Sequence, residues 1–386
     1  MNSEQPEAHP KPERYRSLDI FRGATVAGMI LANNPGSWSA MYGPLQHAKW
    51  HGVTPTDWVF PFFLFAVGNA LAWVSQRQQS QSNFTVYNKI LRRTLLLFGI
   101  GLFLNAFPFV AWNAEQQLEL KSVENLRIMG VLQRIALAFG CAAIAVRLFA
   151  RDGATHRVGI FAAFLLVGYW ILCRVFGKAP DPYSLEGFIG TSLDRMLLGE
   201  SHLYRGEGVP FDPEGLLSTI PAIAQVLLGW WAGVTLQRAR KDEGILGRLL
   251  IVAVHWLLIE SVWQLEFPMN KKIWSSTFVL HTSALALFAL SLLIYWGELA
   301  RSPGTAIHHK MGFGFQRLLA FPFRFFEAFG KNPLFLFVLS GLVPRAFGLV
   351  RWQVTSQSAP VAWTSPLPWI YKNFFVWDGM DPRLSS

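Results

Sequence analysis

The sequence predicts an all-α fold, a polytopic membrane helix bundle of about nine to ten transmembrane helices, and three observations predict it. Of 386 residues, 52% are hydrophobic and only 15% charged, too little polar surface for a soluble globule of this length. The apolar residues arrive in runs of about 17 to 25, enough to cross a hydrocarbon core of about 30 Å at about 1.5 Å per residue. Lys and Arg collect in alternate connections, which orients the bundle with the N-terminus in the cytoplasm.

Nine complete spans follow in order, at approximately 18–35, 57–75, 90–112, 126–148, 157–176, 216–237, 247–264, 273–296 and 332–350. The tail 1–17 is polar and proline-bearing, so no cleavable leader precedes the first span. That span ends at Asn33, ahead of Pro35 and Gly36, and the second opens on Asp57 after Thr54-Pro55-Thr56, a good N-cap setting. Basic clusters mark the inner connections: Arg77, Lys89, Arg92 and Arg93; Arg147, Arg151 and Arg157; Arg238, Arg240 and Lys241; Arg301, Lys310 and Arg317. Cys141 and Cys173 fall inside apolar runs and read as packing residues, with no disulfide framework. Outer loops are longer, above all Gly177 to Gly215 with four prolines, a loop with the length of a lid. Residues 311–328 are basic and aromatic, as suits an amphipathic segment at the inner interface. Asn332 caps the ninth span, and 351–386 forms an outer aromatic segment with Trp363, Trp369 and Trp377. The organisation is thus a tail (1–17), a helical membrane domain (18–350) and this last segment.

The net charge of +10 follows from topology rather than from a polynucleotide partner, because no basic stripe is interleaved with exposed aromatics. His47 and His51 have the i, i+4 spacing of helical metal ligands, but no third ligand completes a set, so no metal is expected. No phosphate-binding glycine loop, Gly-x-Ser-x-Gly elbow or His-x4-Asp box occurs, which argues against ATP-driven pumping and two other acyl-transfer or hydrolase designs.

Four motifs in the first two spans are specific: Arg16-Ser-Leu-Asp19-Ile-Phe-Arg22-Gly23, Asn33-Asn-Pro-Gly36, His47-Ala-Lys-Trp50-His-Gly52-Val-Thr-Pro-Thr-Asp57 and Phe60-Pro-Phe-Phe-Leu-Phe65. Further along stand Gly130-Val-Leu-Gln133-Arg134-Ile, Asp212-Pro-Glu-Gly215, Asn270-Lys-Lys272-Ile-Trp274 and Gly330-Lys-Asn332-Pro-Leu. In kind and order these resemble the transmembrane acyltransferase family of heparan-α-glucosaminide N-acetyltransferase, in particular a bacterial branch some of whose members carry the name of N-acetylglucosamine-related transporters. The resemblance covers nearly the whole chain. It departs from the animal enzyme in having no large lumenal N-terminal domain, and from bacterial relatives in stopping before one more hydrophobic helix.

The resemblance implies transfer of an acetyl group from cytoplasmic acetyl-CoA to the amine of an amino sugar, glucosamine or a glucosaminide, across a bacterial inner membrane. It also implies a homodimer in the lipid bilayer, a catalytic role for His47 and a place beside it for Asn33. Imidazole titrates in the range this chemistry needs, and His47 would act as a base or as a nucleophile. Asn33 is either a helix-end residue or an amide donor to the developing oxyanion. Asp57 is a cap, or it orients His47 or meets the sugar ammonium. Arg22 pairs with Asp19 or meets a CoA phosphate. Arg134, a charge inside an apolar span, faces an internal cavity with Gln133 beside it and binds CoA or the acceptor, or forms a structural ion pair. Trp50 and Asn270 are the candidates for the acceptor side, Asn270 equally for a turn. The alternative function is a transporter of N-acetylglucosamine or a related sugar, which would commonly show repeated halves around a midplane site; no such repeat is visible.

Overall fold

A computed structural model describes residues 15–238, 243–299, 313–356, 359–377 and 383. The apolar runs become helices because nothing in a bilayer but the chain itself can satisfy backbone amides and carbonyls. The helices are α1 (Arg16–Asn33), α2 (Val59–Arg77), α3 (Asn83–Ala106), α4 (Val131–Phe149), α5 (Thr155–Phe176), α6 (Ile189–Leu198), α7 (Thr219–Arg238), α8 (Glu243–Trp263), α9 (Ser276–Gly297), α10 (Phe313–Lys331), α11 (Pro333–Phe347) and α12 (Pro366–Ile370). The chain is an all-α, multi-pass membrane bundle.

Each of the nine expected spans coincides with a helix. Six of them, among the described residues, are long and apolar enough to cross a membrane, and a seventh if α10 and α11, bent by 86° at Asn332, count as one broken span. Arg16, Asp19 and Arg22 lower the hydropathy of α1, and Lys89, Arg92 and Arg93 that of α3. Three expected ends shift by five residues or more, the first being the start of α3, at Asn83 instead of 90. Helix α3 stops at Ala106, before Pro108 removes an amide from the ladder, and Val110–Trp112 (β1) instead pairs antiparallel with Leu118–Leu120 (β2). Helix α4 begins only at Val131, after Gly130.

Two further sequence expectations change. Asn332 stands at the N-cap of α11 but makes no side-chain cap hydrogen bond. The aromatic segment after α11 holds a hairpin, Trp352–Ser356 (β3) with Ala359–Thr364 (β4), and the short α12. The segment expected to be amphipathic is helical where described, with Phe321 and Phe325 exposed and Phe323 buried; Arg240, Lys241, Arg301 and Lys310 lie outside the described residues.

The core of the bundle is the pair α2 and α7. A Cβ on Gly68 would run into the Val226 carbonyl, and one on Gly229 into the Phe65 carbonyl. Small residues let these backbones touch where lipid provides no hydrophobic drive between helices. Helix α2 thereby becomes a fixed post, and the loop carrying His47 hangs on its first turn. Tyr169, Phe188, Phe211, Phe267 and Ile273 form a second apolar cluster that seats the long 177–218 segment against α5 and the turn before α9.

Candidate active site

The site begins with a capping arrangement. Residues Pro55–Trp58 form one 3-10 turn, and Asp57, its third residue, reaches back to accept the Thr54 amide at 3.0 Å. The same oxygen, Oδ2, accepts the Ala48 amide at 3.1 Å. This fixes the fully buried carboxylate and folds the chain so that His47 comes over it, its Nδ1 2.7 Å from Asp57 Oδ1. Asp57 thus has the contacts of a cap on Oδ2 and a contact to the imidazole on Oδ1. Two atoms 2.7 Å apart must share a proton, and an ionised carboxylate only accepts. Nδ1–H therefore donates to Asp57, and in the neutral ring Nε2 carries the lone pair. The ring is 42% exposed, open to a reactant.

The turn before α9 closes the site from the other side. Gly52, at φ +94°, donates its amide to the Met269 carbonyl at 2.8 Å and pairs with Asn270. A side chain would be strained at that φ. Asn270 is buried, and its Oδ1 accepts the amides of Lys272 at 2.8 Å and Ile273 at 3.1 Å, an Asx turn. Its Nδ2 has no partner among the described residues. The turn sends Lys271 toward the His47–Asp57 pair, Nζ 3.1 Å from Asp57 Oδ1, and Trp274 into the core.

Trp274 is the floor on which Arg134 lies, guanidinium 4.8 Å from the ring centroid, with Phe60 packed against the ring at 5.0 Å. Arg134 is completely buried. Its Nη2 donates to the Ser218 hydroxyl and, at 3.4 Å, to the Gly215 carbonyl, while Nε and Nη1 have no partner among the described residues. Asp194, Asp212 and Glu214 lie within its electrostatic reach. A buried cation with two idle donors in a largely apolar span is expensive unless a ligand or water supplies acceptors.

A clasp holds the long segment over this floor. Arg127 donates to Asp212 through Nε at 2.9 Å and Nη2 at 2.7 Å, and to Glu214 at 2.6 Å. Burial opposes its charge, but the two carboxylates prevail and hold the guanidinium above its ordinary value. Burial pushes the Asp194 carboxyl up to about 7, with Asp212 adding to the rise and the Leu216 amide and Arg134 opposing it.

The remaining sequence candidates fall elsewhere. Asn33, the last residue of α1, is exposed and makes no side-chain hydrogen bond among the described residues; its neighbour Asn34 holds the helix end, Nδ2 to the Ile30 carbonyl at 2.8 Å. Gln133 is buried with Nε2 unpartnered, but its amide packs against Gly101 of α3, away from the Arg134 side. Successive helix positions point about 100° apart, which separates the two. Trp50 is a strut between loops, its indole donating to the Tyr183 carbonyl at 2.9 Å and its ring against Phe211. His51 faces Asp181 at 4.0 Å, not His47. Arg22 lies at the opposite end of the bundle, bound to Asp19 at 2.7 Å and to the Gly330 carbonyl. It lines a cavity of about 290 Å³ with Asn69, Trp73 and Arg77. Sequence reasoning missed Lys271, Trp274 and Ser218 as site residues. The one available signal was Lys271 itself, a lysine on a turn that the charge bias of the sequence would assign to the outer side.

The family model described as heparan-alpha-glucosaminide N-acetyltransferase, catalytic, matches residues 14–197, which include His47, Asp57 and Arg134. The human heparan-alpha-glucosaminide N-acetyltransferase is 31% identical over 331 residues, covering 73% of this chain and 48% of the human one. The mouse protein of that name is 28% identical over 341 residues, covering 75% and 50%. The chain spans about half the length of these curated relatives. With the motif order and the helical bundle described above, these matches establish that the chain belongs to the heparan-α-glucosaminide N-acetyltransferase family.

Proposed function

We propose that this chain is a membrane N-acetyltransferase that takes an acetyl group from acetyl-CoA on the α1 N-terminal side and delivers it to the amine of an amino sugar on the His47 side. The observation that carries this reading is the buried Asp57 carboxylate 2.7 Å from His47 Nδ1, which directs Nε2 away from the carboxylate on a ring that is 42% exposed. The amine nitrogen would bond to the thioester carbonyl carbon, the carbon–sulfur bond would break with its electron pair going to sulfur, and Nε2 would take the amine proton. A neutral nucleophile needs such a base near pH 7, and imidazole titrates there.

Arg134 would give its idle Nε and Nη1 donors to a carbonyl or phosphate oxygen of the donor, a charge-assisted contact in a dry site. Arg22 with Arg77 would meet the phosphates at the other end, where Asn69 Oδ1 has no partner among the described residues. Arg22 and Asn33 stand eleven residues apart on α1, about 17 Å of rise, so a donor reaching from one face to the other must be extended. Under this reading only the acyl group crosses, and the charged CoA stays on the side from which it entered. Glucosamine or a glucosaminide is the acceptor we favour, the bacterial inner membrane with a cytoplasmic N-terminus the setting, and a homodimer the assembly.

Acetyl transfer from labelled acetyl-CoA to glucosamine by the purified chain in detergent, beside His47→Ala, tests it. Turnover lost in the variant with acetyl-CoA binding kept supports the proposal. A wild type that binds no acetyl-CoA, yet loads proteoliposomes with N-acetylglucosamine, would replace it with the transporter reading.

A further inference from the structure

Two lysines stand on the outer turn after Pro268, where the charge bias of membrane proteins would not put them. Lys272 ties loops together, pairing with Glu207 at 2.5 Å and donating to the Lys49 carbonyl at 2.7 Å. Lys271 turns the other way. Its Nζ is 3.1 Å from Asp57 Oδ1, 2.9 Å from His47 Nδ1 and 3.4 Å from His47 Nε2. An ammonium only donates, and Nδ1 already carries the proton it gives to Asp57. Lys271 therefore bonds to the carboxylate and reaches the Nε2 lone pair at 3.4 Å, while toward Nδ1 it is a charge rather than a hydrogen-bond partner. A proton added at Nε2 would set two cations on one carboxylate.

We propose that Lys271 is a positioning residue of the transfer reaction, its ammonium neutralising and holding Asp57 so that His47 keeps its proton on Nδ1 and its lone pair on Nε2. The inference rests on the acetyl-transfer reading of this site. In that reaction the amine proton goes to Nε2 and the electron pair of the broken carbon–sulfur bond to the thiolate, which then takes a proton; Lys271 exchanges none and acts through its charge. The groups that face it are His47 and Asp57 from the first loop, Lys272 from its own turn and Glu214 from the long segment. Burial draws its ammonium below the ordinary lysine value, with Asp57 opposing. The charge is thus lost at a lower alkaline pH than that of a free lysine, and activity should fall with it.

The test measures acetyl transfer from labelled acetyl-CoA to glucosamine by the purified full chain, from about pH 6 to about pH 11, for wild type, Lys271→Met and Lys271→Arg, with acetyl-CoA binding in parallel. We expect Lys271→Met to lower kcat about tenfold or more while the KM for acetyl-CoA moves less than about twofold. Lys271→Arg should restore most of kcat and carry the alkaline limb to higher pH, because guanidinium keeps its proton there. The proposal is overturned if Lys271→Met matches wild type, or if Lys271→Arg loses activity at the same alkaline pH as wild type. Should Lys271→Met fail to bind acetyl-CoA, the Arg comparison alone decides. A wild type that transfers no acetyl group sinks the acetyltransferase reading and this inference together; a wild type that transfers, matched by Lys271→Met, sinks only this one.

Discussion

His47 and Asp57 are ten residues apart in sequence and 2.7 Å apart in space, and the carboxylate that meets the imidazole also caps the turn that leads into α2. One side chain thus couples local folding to chemistry. Asp57→Asn separates the two duties. Asparagine can still accept one backbone amide, but it no longer selects the Nδ1–H tautomer. We expect kcat for acetyl transfer to fall by about 10²-fold or more, with a stability loss of about 1 kcal/mol from the weakened cap. Steady-state kinetics and thermal unfolding in detergent check both. A variant with normal kcat would remove Asp57 from the chemistry and leave it a cap.

Arg134 and Trp274 make the second pairing, and Arg134→Met probes it. The variant keeps an unbranched side chain on the indole and discards the charge. A charge-assisted hydrogen bond is worth about 1.5–3 kcal/mol, so acetyl-CoA affinity should fall about 10- to 100-fold, with the KM for glucosamine nearly unchanged. Titration of acetyl-CoA binding reads the effect directly. Unaltered binding would mean that the idle donors of Arg134 face water and not the donor.

The helices were legible because each is a local property: an apolar run, a basic connection, a proline or glycine at the boundary. Asp57 was legible as a cap for the same reason. The link from Lys271 to His47 crosses 224 residues, and it exists only because Gly52 pairs with the turn at Met269 and Asn270. Nothing in the composition of either segment announces that bridge. Gln133 and Arg134 were read as partners because they are adjacent, but adjacency on a helix turns side chains away from each other, and the structure sends them to different neighbours. The hairpins at 110–120 and 352–364 were hidden by their own apolar residues, which suit a buried strand as well as the end of a span.

Arg127 joins the segment before α4 to the long 177–218 segment through Asp212 and Glu214. Arg127→Ala leaves the fully buried Asp212 without its cation. Breaking such a pair costs about 3–5 kcal/mol, enough to open the clasp locally if not to unfold the bundle. Limited proteolysis should then cut between residues 177 and 218 faster than in wild type, and a double variant with Asp212→Asn should recover part of the protection. Unchanged cleavage would show that the aromatic cluster of Phe188, Phe211 and Phe267 holds the segment alone.

Asp194 sets a pH dependence whose sign is opposite to that of a salt-bridged acid. Its folded value, about 7, lies above the ordinary 3.8, so between those values the folded protein keeps a proton that the unfolded chain has released. Stability changes with pH as the protons bound by the unfolded state minus those bound by the folded state, and that difference is negative in this window. The contribution of Asp194 is therefore fully present below about pH 4, declines as pH rises and is exhausted above about 7. Asp194→Asn removes the titration while keeping an oxygen to accept the Leu216 amide, which lies 3.0 Å from Oδ1. The melting temperature of wild type minus that of the variant should fall as pH is raised from about 4 to about 7 and stay flat beyond. A difference that does not vary over this range would mean that Asp194 is ionised throughout, its charge balanced by Arg134 across the floor of the site.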